Sequence, residues 1–215
     1  MRILRWSDMD DRCRHGSLSR LVRAAAVLSL AAYAFSAAIA ASPVPARDAG
    51  PTTVIVFADR PLQTHQWASL MASLRRGVAG GQAETHRLDR AAIFMRGDDV
   101  VPGMVVKSAL VVYLHGDCTL APAAQRTAYG VPLGWVRRVQ GRIEPFIHVD
   151  CTHIGDVLGP QAMRMNNEQR TEAMSEAIAR VILHEWIHIV SQSPAHTQSG
   201  IEKAQYGVAD LMGGR

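Results

Sequence analysis

The chain has 215 residues, 48% of them hydrophobic and 20% charged, which is enough apolar content for a packed core and too much for intrinsic disorder. One domain of ordinary size is therefore expected. The net charge of +4 would suggest nucleic acid only if it formed a patch. Instead, the first 40 residues hold six arginines against three aspartates, while from residue 41 onward 17 basic residues face 16 acidic ones, evenly mixed. The body of the chain thus has no nucleic-acid footprint.

The charge asymmetry at the front has a simpler meaning. An arginine-bearing stretch ending at Arg23 precedes the charge-free run AAAVLSLAAYAFSAAIA (24–40), then small residues and the prolines Pro43 and Pro45. This is the layout of a secretory signal peptide over residues 1–40, with Ala38-Ile39-Ala40 supplying the A-x-A pattern for cleavage after Ala40 or Ala41. The apolar run also reaches the lower bound of ~17 residues for a membrane span, so an uncleaved anchor helix is the alternative. Either way the body lies outside the cytoplasm, secreted or periplasmic, and with the leader removed no membrane partner is expected. Residues 41–52 read as an extended linker, and residues 53–215 as the folded domain.

Cysteine usage fits export. Cys13 leaves with the leader, and the remaining pair, Cys118 and Cys151, is expected to form a disulfide. The competing arrangement is a metal cluster of Cys151 with His148 and His153.

In chain order, the β-branched segment Thr53–Phe57 predicts a buried strand. Trp67, Leu70, Met71, Leu74 and Val78 recur at helical spacing, which predicts a helix over 64–78 that Gly80-Gly81 ends. Residues 84–88 are a candidate strand, 89–95 are ambiguous, and 96–103 form a loop in which Asp98 and Asp99 are solvated. Leu110–Leu114 predicts a second buried strand. Residues 133–139 and 142–150 flank the turn-competent pair Gln140-Gly141 and predict an antiparallel hairpin. Alternation puts Ile143, Ile147 and Val149 on one face and His148 on the other. From Asn167 the chain runs without glycine or proline to Pro194, with Glu168, Glu172 and Glu176 toward its start, as a long helix requires.

That helix carries the chemistry. Between Ala177 and Val190 nearly every residue is apolar, and the exceptions include His184-Glu185-Trp186-Ile187-His188, an H-E-x-x-H pattern. The i, i+4 spacing sets both imidazoles on one helix face about 6 Å apart at Cβ, close enough to share one metal ion. Glu185 falls beside the ion's open position, where it can take a proton from water. Burying two imidazoles and a carboxylate costs several kcal/mol unless each finds a partner, and a divalent cation serves all three. A third protein ligand is needed. His196, eight residues after His188 and beyond the helix-ending Pro194, is the first candidate, ahead of Glu202 and then Asp210.

On these residues the sequence resembles the zincin superfamily of zinc metallopeptidases. In the metzincin branch a glycine turn, a third histidine and a methionine-containing turn follow H-E-x-x-H. Here Ser191 stands at the glycine position and Pro194 at the histidine position, with His196 two residues later. The tail His196-Thr197-Gln198-Ser199-Gly200-Ile201-Glu202-Lys203, with Tyr206 and Asp210-Leu211 behind it, is similar to the ending of a group of exported bacterial zincin-like proteins. That likeness extends to Gly116-Asp117-Cys118 and to the strand from Pro145 to Cys151.

The resemblance implies an α+β zincin-like fold, a small mixed sheet with a long active-site helix. It also implies Zn2+ held by His184, His188 and His196, Glu185 as general base, and hydrolysis of a peptide or protein substrate. Zincin architecture suggests that an extended peptide pairs with the sheet edge near residues 133–149. Tyr206 or Lys203 is a candidate oxyanion stabiliser. The rival reading is a non-catalytic exported domain that binds a metal or a partner, which would gain nothing from a free carboxylate at Glu185.

Overall fold

Residues 51–80, 88–123 and 131–213 are described by a computed structural model. The expected signal peptide, its cleavage site, most of the linker and most of the candidate strand at 84–88 lie outside the described residues.

Five strands form one mixed sheet: β1 (Thr53–Ala58), β2 (Ile93–Arg96), β3 (Ala109–His115), β4 (Gly134–Val139) and β5 (Arg142–Asp150). Their order is β2-β1-β3-β5-β4. The first four in that order run parallel, and β4 pairs antiparallel with β5 at one edge. The hairpin between β4 and β5 turns through Gln140 (φ 50°) and Gly141 (φ 82°), the two positive φ values that a type I′ turn demands. Strand β2 was ambiguous in the sequence because Ile93–Arg96 is short and sits at the opposite edge. Parallel pairing with β1, Val54 against Phe94 and Val56 against Arg96, decides it.

The helices are α1 (Thr64–Ala79), α2 (Cys151–Ala162), α3 (Asn167–Ser191) and the short α4 (Val208–Leu211). Helix α3 starts on a reciprocal cap: Gln169 N donates to Asn166 Oδ1 and Asn166 N donates to Gln169 Oε1, both at 2.9 Å, which satisfies donors the first turn would leave unpaired. Alternate strand residues Val54, Val56, Val112, Leu114, Ile147 and Val149 share one core with Leu70 and Leu74 of α1, Ile154 and Leu158 of α2, and Ile178 and Ile182 of α3. Ile143, Ile147 and Val149 are buried on that face, and His148 faces the other way, as the alternation requires. Among the described residues no helix is long and apolar enough to cross a membrane.

Helix α2 was not anticipated. Its sequence CTHIGDVLGPQA carries two glycines and Pro160, all poor helix formers. Two weaker signals were present: Asp150 as N-cap, whose Oδ1 accepts from His153 N at 2.9 Å, and Ile154 and Leu158 at helical spacing, both fully buried.

Cys118 and Cys151 form a disulfide that ties the segment after β3 to the first residue of α2. Cys151 is therefore not a metal ligand, and the Cys151–His148–His153 cluster is excluded. His148 instead meets His115, and His153 lies buried in α2. Replacing both cysteines by serine should lower the unfolding free energy by about 3–4 kcal/mol, the chain-entropy value for closing a loop of this separation. Denaturant unfolding of the double variant measures it.

Candidate metal centre

Three imidazoles converge at the C-terminal half of α3. His184 and His188 are buried one turn apart, and His196 approaches from the segment that follows the helix. The Nε2 atoms of His184 and His188 are 3.0 Å apart, and those of His188 and His196 are 3.2 Å apart. Of all groups of three or more His, Cys, Asp or Glu among the described residues, only these three place ligand atoms within 4.8 Å of one another.

Hydrogen bonding at the far side of each ring fixes which nitrogen carries the proton. His184 Nδ1 is 2.6 Å from the Ile201 carbonyl, and His188 Nδ1 is 2.6 Å from the Ser193 carbonyl. A carbonyl only accepts, so each Nδ1 is protonated and donates, and each Nε2 is left with a lone pair. Two such lone pairs facing each other at 3.0 Å repel, and neither ring can donate to the other. A shared cation resolves the conflict. Nitrogens bonded to a tetrahedral zinc ion at ~2.0–2.1 Å lie about 3.3–3.4 Å apart, close to the observed spacing, so the donor set fits an ion of this kind. Burial, with His188 and His196 adding to it, holds His184 down to about 4 against the opposing pull of the Ile201 carbonyl. Neutral imidazole is the form that binds a metal. His196 is also lowered, by burial and by His188, while Glu202 pulls it upward.

The chain reaches this geometry through Gln192. Helix α3 ends there with Gln192 in the left-handed region (φ 52°, ψ 28°), a conformation that glycine or asparagine usually supplies. The side-chain amide acts as a substitute backbone: Ile143 N donates to Gln192 Oε1 at 2.9 Å, and Gln192 Nε2 donates to Ile143 O at 3.0 Å and to Ile189 O at 2.7 Å. The turn after the helix is thereby pinned to β5. Directly after it come the Ser193 carbonyl that orients His188 and the segment that returns His196. Gln192→Gly removes the clamp and also the cost of a left-handed side chain. Thermal unfolding should therefore stay near that of the wild type, while affinity for a metal ion falls ~10–100-fold, the usual effect of losing outer-shell support. Paired melting curves and metal titrations check this.

Glu185 is buried at 6% exposure on the same helix, with Oε1 3.9 Å from His184 Nε2. No described residue donates a hydrogen bond to its carboxylate. Burial pushes Glu185 up to about 8, and a cation on the adjoining imidazoles would favour the carboxylate again. Edge strand β4 passes close by: a Cβ on Gly134 would lie 2.4 Å from Val181 Cγ1 and 3.4 Å from Glu185 Cγ. Only glycine allows the strand so near the helix here.

The other candidates have different employment. Both carboxylate oxygens of Asp210 accept from Lys203 Nζ at 2.8 Å, and one accepts from Gly207 N at 2.9 Å, so Asp210 lies outside the three-histidine group. The same ion pair occupies Lys203. Glu202 acts on His196 electrostatically and is outside the three-histidine group. Tyr206 donates to the Ile201 carbonyl and lies 3.1 Å from His184 Nδ1. It thus supports the outer edge of His184, on the side away from the converging nitrogens. The roles of Gln192, Ile201 and Ser193 had no signal in the sequence, since two of them act through backbone carbonyls. Compared with known protein families, with characterised proteins and with solved structures, the chain matches none of them.

Proposed function

We propose that this protein is a zincin-type zinc peptidase that acts outside the cytoplasm. The observation that carries the proposal is the buried carboxylate of Glu185, without a described hydrogen-bond donor, beside three convergent imidazoles. A structural zinc site takes four protein ligands, whereas a catalytic one takes three and leaves a position open. Among the described residues the donor set stops at three. The disulfide is compatible with an oxidising compartment, and the arginine-led apolar leader supplies the route there.

When bound, zinc lowers the pKa of water and polarises a carbonyl oxygen. Glu185 takes the proton from the attacking water and passes it to the leaving nitrogen, so that water and amide become acid and amine. The Ile201 and Ser193 carbonyls hold the rings of His184 and His188 in the tautomer the reaction needs. Tyr206 steadies the Ile201 carbonyl. An extended substrate pairs with the outer edge of β4, the strand that Gly134 brings against Glu185.

The test is direct: the zinc-loaded chain is incubated with a degenerate peptide mixture and the products are read by mass spectrometry. Cleavage that a chelator abolishes and added zinc restores is the expected result. A zinc-loaded protein that cleaves nothing in such a mixture would return the chain to the non-catalytic metal-binding reading.

A further inference from the structure

The face of the sheet turned away from the helices carries a line of rings. Phe57, Tyr113, His148 and Trp135 occupy directly paired positions on β1, β3, β5 and β4. Successive centroids are 5.6, 5.3 and 5.1 Å apart, with interplanar angles of 20°, 17° and 6°. His115 lies edge to edge with His148, Nε2 to Nδ1 at 2.9 Å and 9° from parallel, so the indole of Trp135 also stacks on His115, at 5.5 Å and 10°. Four of the five strands, β1, β3, β5 and β4, thus contribute one rung each. Trp135 is the last, because β4 is the edge strand, and no described ring stacks on its outward face.

The backbone at this edge is set to continue the pattern. Asp150 N donates to Leu133 O at 2.9 Å, which makes Leu133–Asp150 a hydrogen-bonded pair. Alternation along an antiparallel ladder makes Trp135–His148 another such pair and turns the N–H and C=O groups of Gly134 and Val136 outward. An extended peptide paired antiparallel to those groups places one residue opposite Trp135 in a non-hydrogen-bonded pair. Cα atoms in such pairs are about 4.5 Å apart and their side chains are at their closest. That residue's side chain projects onto the ring-bearing face, while its two neighbours project to the face where Gly134 meets Glu185.

We infer that the preferred substrate carries an aromatic side chain opposite Trp135, stacked on the outward indole face as the next rung of the ladder and adjacent in sequence to a residue turned toward the metal centre. This rests on the peptidase reading and names the substrate class for that same site. Trp135 is then a specificity-determining residue. Parallel offset rings at this spacing attract beyond simple burial, so an aromatic residue in that register is favoured about tenfold over alanine.

The experiment uses the full chain carrying Glu185→Gln, zinc-loaded, with calorimetric titration of peptides that differ only in whether a phenylalanine or an alanine stands at each position in turn. Tightening of about tenfold at one register position is expected, and adding Trp135→Leu should erase it while alanine peptides bind within about threefold of before. Cleavage products of the wild type provide a check that does not depend on the folding of the variant, and should show an aromatic residue within two positions of the cut. Peptides that bind or are cut with no positional preference for aromatic residues overturn this inference and leave the peptidase reading standing. A folded Trp135→Leu protein that keeps the preference also overturns it. Failure of every peptide to bind overturns both.

Discussion

Glu185→Gln is expected to leave zinc bound and to lower peptide hydrolysis by at least ~10²-fold. The substitution keeps the volume of a side chain that is 6% exposed, so packing beside Gly134 is preserved. Glutamine cannot accept the proton that the attacking water must lose, and the usual scale for losing a general base is ~10²–10⁴-fold. Because the interaction is made only as the reaction proceeds, kcat and kcat/KM should fall together while KM changes little. Zinc content is expected to be unaffected, since Glu185 is not among the three convergent histidines. Zinc analysis alongside steady-state kinetics on one peptide checks both halves.

His188→Ala should abolish metal binding at micromolar zinc. His188 is the central histidine of the three, with its Nε2 in contact with the Nε2 of both His184 and His196 at 3.0 and 3.2 Å. Its removal leaves two imidazoles, one short of the three protein ligands that such a zinc site takes. Losing a ligand weakens binding by more than the ~10–100-fold typical of outer-shell changes. The variant also leaves the Ser193 carbonyl without its donor, a loss of about 1 kcal/mol in the metal-free fold. Thermal shifts separate these effects. Zinc at ~1,000 times its Kd should stabilise the wild type by about 4 kcal/mol and should not stabilise His188→Ala at the same concentration.

The long helix and the hairpin were legible because their signals are local. The run without glycine or proline from Asn167 to Pro194, with acidic residues toward its start, and the alternation of Ile143, Ile147 and Val149 each fix an element without reference to the rest of the chain. So was the pairing of Cys118 with Cys151, which follows from an even count once Cys13, in the expected leader, is set aside. Helix α2 was hidden by Gly155, Gly159 and Pro160, whose poor propensity is overridden by burial of Ile154 and Leu158. Strand β2 depended on a partner 40 residues earlier in the chain. At the site, the i, i+4 histidines could be read directly, and His196 was reached from its distance past the helix end. The devices that aim these rings were not readable. A glutamine in the left-handed region, bonded to a strand 49 residues away, has no local signature, and neither does a carbonyl that selects a tautomer. The aromatic ladder is likewise a product of sheet order, since Phe57, Tyr113, His148 and Trp135 come into line only once four strands are paired.

The proposed chemistry requires that His184, His188 and His196 together hold one ion. X-ray absorption at the zinc edge on the zinc-loaded full chain tests it most directly. One zinc per chain is expected, with three imidazole nitrogens at ~2.0–2.1 Å and a light fourth scatterer. A sulfur shell near ~2.3 Å, a fit with fewer than three imidazoles, or a wild-type chain that takes up no stoichiometric zinc would contradict it.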